Sequence, residues 1–176
     1  RDAQELTDEL GDTPKGPGTV AFLPYLSGER TPHNDAVIRG AFAGLGHESG
    51  RAALTQAVLE GVAFALRDNL EALRAAGTEL TRVTAIGGGS RSRYWLSVIA
   101  NSLGLSVDIP ADGDFGAAFG AARLGLIAAT GADPLAVCTP PATSATIEPD
   151  TALSTAYQDA WRRWRDLYPA IKGATT

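Results

Sequence analysis

The chain has 176 residues, 44% hydrophobic and 20% charged, enough for a genuine core and too apolar for a disordered segment. With 15 Lys and Arg against 20 Asp and Glu, the formal charge is −5 and the isoelectric point lies near 5.0, which argues against a nucleic-acid binder, since such proteins carry a basic face. A single cysteine, Cys138, excludes an intrachain disulfide and a Cys-rich metal site, and no apolar run reaches the roughly 18 residues that read as a membrane span.

In chain order, residues 1–10 read as the tail of a helix, and 11–18 as a loop of helix- and strand-breaking residues. The run 20–23 is a strand stopped by Pro24, 27–35 is a long polar loop, and 40–45 is a second strand. A long helix is expected over 49–76, with Leu54, Val58, Val62, Leu66, Leu70 and Leu73 as its buried stripe, widened by Ala57, Gly61 and Ala65. Gly77 stops it. The pattern then becomes strand-helix-strand-helix: strand 82–86, turn 87–90, helix 92–103 with Trp95, Val98, Ile99 and Leu103 inward, strand 105–109, turn 112–114, and a small-residue helix over 115–129. Residues 131–150 read as a surface connection. Ser154 is expected to cap a last helix carrying Trp161, Trp164 and Leu167 on one face. Strands alternating with helices imply α/β layers with ligands at strand ends. The chain lacks methionine and opens on Arg1, so it is expected to be a piece of something longer. With no charged-then-apolar leader in view, a cytoplasmic location is expected.

Three constellations carry chemistry. Gly87, Gly88, Gly89, Ser90, Arg91 and Ser92 join a strand to a helix start. Three consecutive glycines clear side chains from the turn, so a ligand can lie against the peptide planes, and a helix N-terminus beside it offers free N–H groups to an anion. The plainer reading is a tight turn that uses Gly for its positive φ. A phosphate-binding P-loop is excluded because no Gly-Lys-Ser/Thr triplet exists. A dinucleotide fingerprint fits only in part: Gly87 and Gly89 match, Ser92 stands at the third glycine, and Asp108 lies near the usual acidic distance. The second constellation is 116–122, where Gly116 and Gly120 share a helix face with Ala117 and Ala121; helix packing is its plainer reading. Both segments follow strands expected to be neighbours, so they could flank one pocket. The third is the polar loop with Glu29, Arg30 and His33, stiffened by Pro24 and Pro32. His33 and His47 lack a third ligand at metal spacing, Asp35, Asp112 and Asp114 suit turns and caps, and Arg162, Arg163 and Arg165 suit a solvated helix face.

The stretches PYLSGERTPHND, RGAFAGL, AVLEGVAFALRDNLEAL, IGGGSRSRYW and DFGAAFGAARLG resemble the C-terminal half of the FGGY carbohydrate kinases, from about Val20 to Ala129. The SGERTPH loop and the GGG-x-R-S turn are most similar to the branch that phosphorylates the pentulose D-xylulose. Ala53 departs from the family signature over 40–60, which usually has a polar residue there. The resemblance implies an α/β, ribonuclease-H-like (actin-like ATPase) domain, a mixed sheet flanked by helices. It implies that 1–176 is the C-terminal nucleotide-binding domain, with 1–19 a connector, 20–130 the core and 131–176 a C-terminal loop and helix. The N-terminal domain, which holds the sugar and the catalytic aspartate, is absent, so no catalytic residue and no metal ligand is expected in this chain. Gly87, Gly88, Gly89, Ser90 and Ser92 would lie along the nucleotide, and Gly116 and Ala117 would form the opposite wall. The implied partners are ATP or ADP, Mg²⁺ held through the phosphates and the absent domain, and a pentulose bound by that domain; nucleic acid and membrane are not expected. An apolar face left by the absent half favours self-association, so a homodimer is allowed. The alternatives are a kinase of the same family acting on ribulose, gluconate or glycerol, and a non-catalytic domain that has lost its nucleotide.

Overall fold

The computed structural model describes residues 2–111 and 116–175. The expected turn at Asp112–Asp114 and the first residue of the small-residue helix, Phe115, lie outside the described residues. After a short helix α1 (Ala3–Asp8), the apolar run before Pro24 forms β1 (Ala21–Leu23), which pairs antiparallel with β2 (Ala41–Ala43) in the register Phe22↔Phe42. The long helix α2 (Arg51–Ala75) follows. It crosses β1 closely because Gly61 has no side chain: a Cβ there would lie 2.2 Å from the Phe22 carbonyl oxygen.

The expected strand-helix-strand unit is present. β3 (Arg82–Thr84) leads through a 3-10 turn (Gly88–Arg91) into α3 (Arg93–Leu103) and returns as β4 (Ser106–Pro110), parallel to β3 with Val83 opposite Val107. Ser92 caps α3, its Oγ accepting the Trp95 N–H at 3.1 Å, and Gly104 ends the helix in the left-handed region. A small-residue helix α4 (Gly116–Thr130), a one-turn α5 (Pro134–Val137), β5 (Thr143–Ile147), α6 (Ser154–Arg165) and α7 (Leu167–Thr175) complete the described chain. β5 joins β4 antiparallel, giving a mixed three-stranded sheet in the order β3-β4-β5. The core lies where α2, α3 and α6 meet, around Phe64, Leu96, Val98, Tyr157 and Trp164. Two indoles lock α6 in place: Trp161 Nε1 donates to Asp68 Oδ1 at 2.8 Å, and Trp164 Nε1 donates to the Phe22 carbonyl at 2.7 Å.

Several expectations need correction. The buried residues of α2 are Ala57, Glu60, Gly61, Ala63, Phe64, Asp68 and Leu70, so Ala57, Gly61 and Leu70 lie inside as expected, whereas Val58, Leu66 and Leu73 face outward. Counting apolar side chains displaced part of the stripe because Asp68 goes inside, its Oδ1 held by Trp161 and Arg165. The segment 131–150 is no simple connection, since its Thr-rich end supplies β5. Ser154 is the first residue of α6 and not its cap; Leu153 holds that position, and the Ser154 hydroxyl donates to Asp150 O. The chain goes on to a further helix, α7, that its periodicity did not reveal. Arg165 is not merely solvated, as it sits 3.3 Å from the buried Asp68 and over the Trp161 ring.

Glu60 fastens the connector to the core. It is 3% exposed and both carboxylate oxygens accept the Gly18 N–H at 3.1 Å, while Gln56 Nε2 bridges Glu60 Oε1 and Gly16 O. Burial pushes the Glu60 carboxyl up to about 7 from 4.5, against the opposing pull of the Gln56 and Gly18 hydrogen bonds. The folded state therefore holds a proton that the unfolded chain has lost between those two values. The resulting stability is full below pH 4.5 and gone above about 7, an upper limit of about 3 kcal/mol. Thermal melts should show Tm falling as pH rises from 5.5 to 8, and Glu60→Gln should flatten that slope. An equally steep slope in the variant would place the titration elsewhere.

Candidate functional site

The three glycines at the end of β3 have three separate reasons. Gly87 takes φ +81°, which lets the chain leave the strand and start the 3-10 turn. Gly89 makes room for the protein itself, since a Cβ there would lie 2.2 Å from Trp95 Cζ3. Trp95 is held in that position by α2, donating from Nε1 to Leu59 O at 3.3 Å. Gly88 has an open outward face on an unstrained backbone: nothing lies within 4 Å of the position of its Cβ, as at Gly87, but its φ is not positive. The two serines serve the turn. Ser90 donates from both N–H (3.1 Å) and Oγ (2.7 Å) to Gly87 O, and Ser92 Oγ accepts the Trp95 N–H. The rigid turn therefore offers bare peptide at Gly87 and Gly88, the surface that the planar face of a base requires.

The start of α4 closes one side. A Cβ on Gly116 would lie 2.4 Å from Ile86 Cδ1, so the second small-residue segment touches the residue immediately before Gly87. Ala117 and Gly120 stand beside it with open surroundings. No residue of α4 is buried, and Phe119, Leu124 and Leu126 are exposed. A Cβ at Gly116 would meet Ile86, which lies outside any helix, and one at Gly120 would meet nothing within 4 Å. Asp108, the acidic residue of the dinucleotide alternative, is 5% exposed and committed to Thr146 Oγ1 (2.7 Å) and Arg82 Nε (3.2 Å), so it is not free for a ribose.

The polar loop occupies the same side of the molecule. A pocket of about 420 Å³ separates Gly28, Glu29, Arg30 and Thr31 from Leu66 and Asn69 of α2. Leu66 and Asn69 also line an apolar groove of about 310 Å³ that runs to Thr84, the last residue of β3, and to Ala85 just after it. One face thus extends from the loop, along the outward stripe of α2, to the strand that ends in the glycine turn. Within the loop, Asp35 fulfils its expected turn role: Oδ1 accepts the N–H groups of Val37 and Ile38. Its contacts with Tyr168 and Lys172, described below, were invisible in the sequence, as were the buried carboxyls of Glu60 and Asp68. Burial raises the Asp68 carboxyl above its ordinary range, and its Oδ2 has no hydrogen-bond partner. Among the described residues, no group of three His, Cys, Asp or Glu side chains could hold a metal ion, and no helix is long and apolar enough to cross a membrane.

Residues 2–129 match the family model for the C-terminal domain of the FGGY family of carbohydrate kinases, and the chain belongs to that family. Its mixed α/β fold is accordingly the actin-like, ribonuclease-H-like one. Among individual proteins, the chain is similar to the xylulose kinase of Escherichia coli, with 45% identity over 154 residues that cover 86% of this chain and 32% of that protein. A crystal structure described as a xyloylose kinase from Brucella ovis superposes with a TM-score of 0.89 at 66% identity, covering 97% of this chain and 36% of that one. The xylulose kinase structure from Rhodospirillum rubrum superposes with a TM-score of 0.80 at 29% identity, covering 98% of this chain and 34% of that one. The chain therefore spans about a third of the length of these relatives.

Proposed function

We propose that the chain is the nucleotide-binding domain of an ATP-dependent kinase that phosphorylates D-xylulose. The observation that carries this is the open peptide face at Gly88, at a strand-to-helix junction in a chain similar to xylulose kinases along most of its length. The purine and ribose of ATP would lie on Gly87 and Gly88, with Ser90 and Ser92 stiffening the turn and Gly116 and Ala117 forming the opposite wall. In the reaction, the 5-hydroxyl oxygen of the sugar forms a bond to the γ-phosphorus, the bond from that phosphorus to the bridging oxygen breaks, and ADP leaves. The hydroxyl proton passes to a carboxylate of the other half of the enzyme. Transfer of this kind depends on positioning and on charge stabilisation around the γ-phosphate. This domain would contribute nucleotide placement and closure on its partner domain, which excludes water as a competing acceptor.

A cytoplasmic location fits this role. The open apolar side chains Leu66, Leu73, Leu124 and Leu126 favour self-association of the isolated domain. A coupled ADP-release assay tests the proposal. The 176-residue chain alone should bind a fluorescent ATP analogue weakly and show no sugar-dependent turnover. The complete protein should turn over ATP with D-xylulose in preference to ribulose, gluconate or glycerol. Preference for another of these sugars would move the assignment within the family, and full turnover by the isolated chain would overturn the division of labour between the halves.

A further inference from the structure

The polar loop over 27–35 is closed on itself and fastened from outside. Glu29 and Asp35 exchange backbone hydrogen bonds of 2.8 and 2.7 Å, and the His33 N–H donates to Glu29 Oε2 at 2.8 Å. Its base is Asp35, a carboxylate only 7% exposed. Besides the two backbone donors on Oδ1, Asp35 Oδ2 accepts the Tyr168 hydroxyl at 2.9 Å and lies 2.9 Å from Lys172 Nζ. Lys172 Nζ also donates to the Tyr168 hydroxyl at 3.0 Å, one helical turn away on α7. The His33 ring stacks on the Tyr168 ring, centroids 3.6 Å apart and planes 6° apart, and Tyr25 meets both rings edge-on. A buried carboxylate is tolerated when each lone pair finds a donor, so these contacts are what hold the loop base in place. They also hold Asp35 well below the usual carboxylate range and push Lys172 up to about 12.

We infer that α7 is a positioning strap: Tyr168 and Lys172 fix Asp35 and His33, and thereby set how Glu29, Arg30 and Thr31 are presented on the face that leads to the glycine turn. Two observations carry it beyond a list of contacts. The loop and the end of β3 border two pockets that share Leu66 and Asn69, so the loop stands on the face that leads to the glycine turn. Asp35 and Tyr168 lie 133 positions apart, so the strap is a tertiary contact that no local signal of the loop requires. Its kinetic consequence rests on the kinase reading above: Tyr168 and Lys172 are positioning residues for the nucleotide side of the reaction and touch no reacting atom.

The test uses the complete kinase. Tyr168→Ala removes the stack and the hydroxyl; Tyr168→Phe keeps the stack. In Tyr168→Ala, the Glu29 and Asp35 amides should exchange about tenfold faster, and kcat/KM for ATP should fall by about tenfold with the KM for D-xylulose within about twofold. The His33 ring protons, shifted upfield by the stacked phenol, should move to unstacked values in Tyr168→Ala and stay shifted in Tyr168→Phe, whose kcat/KM should fall less than about threefold. A folded Tyr168→Ala protein with unchanged amide exchange, or with faster exchange and unchanged ATP kinetics, overturns the inference. If Tyr168→Ala does not fold, Lys172→Met decides by the same two readouts, with about threefold changes expected in each and no change overturning it. A wild-type protein without sugar-dependent turnover sinks the kinase reading instead; the amide exchange and the His33 resonances then still decide whether α7 holds the loop.

Discussion

Gly88→Val in the complete kinase should raise the KM for ATP by about tenfold or more while leaving the KM for sugar and the thermal stability nearly unchanged. The geometry makes this substitution unusually clean. Gly88 sits within a right-handed 3-10 turn, its φ is not positive, and nothing lies within 4 Å of where a Cβ would stand. The fold therefore loses nothing when a side chain is added, and any loss must come from what binds there. Its neighbours make poor probes. A side chain at Gly87 would be strained at φ +81°, and one at Gly89 would strike the Trp95 ring. Substitution at either position mixes a binding defect with a folding defect. Steady-state kinetics at saturating D-xylulose, paired with a thermal melt, gives the answer. An unchanged KM for ATP in a folded variant would put the nucleotide elsewhere.

Gly61→Ala should cost about 3 kcal/mol of stability and lower Tm by about 6–12 °C. In an open helix the same change would stabilise, because Ala loses less backbone entropy than Gly. Here the added methyl would stand 2.2 Å from the Phe22 carbonyl oxygen, and backbone yields far less readily than the end of a side chain. The same carbonyl also accepts the Trp164 indole N–H, so pushing β1 away from α2 would loosen α6 as well. Gly125→Ala is the matched control: it lies in α4 with nothing within 4 Å and should stabilise by about 0.5–1 kcal/mol. Parallel melts of the two variants decide the point. A Gly61→Ala protein as stable as the parent would mean that β1 and α2 leave room for a methyl group between them.

What was legible in the chain and what was not divide along the range of the interactions. Local signals worked wherever the deciding forces were local. The periodic run over 92–103 before Gly104 marked α3 to within one residue, and the alternation of strand and helix over 82–109 marked the pair β3 and β4. The glycine turn was located, but the roles within it were not. That Gly89 serves Trp95 and Gly88 is open depends on where α2 holds an indole far along the chain. Part of the buried face of α2 was misplaced because apolar counting treats Asp68 and Glu60 as surface residues. Both are inside, with Trp161 meeting one and Gly18 the other. β5 was missed because its Thr-Ser-Ala-Thr-Ile sequence lacks a clear alternation and becomes a strand by pairing with β4.

By itself, then, the sequence determined the alternation of elements, the position of the glycine turn and, through its quoted motifs, the kinase family. Those features are set by backbone permissiveness and by side-chain periodicity, which neighbouring residues decide among themselves. The tertiary structure alone decided which glycine is left bare, which carboxylates go inside and which helix holds the polar loop. Each of those outcomes is a meeting between residues dozens of positions apart, Asp35 with Tyr168 and Asp68 with Trp161 among them, and such meetings exist only once the chain has closed.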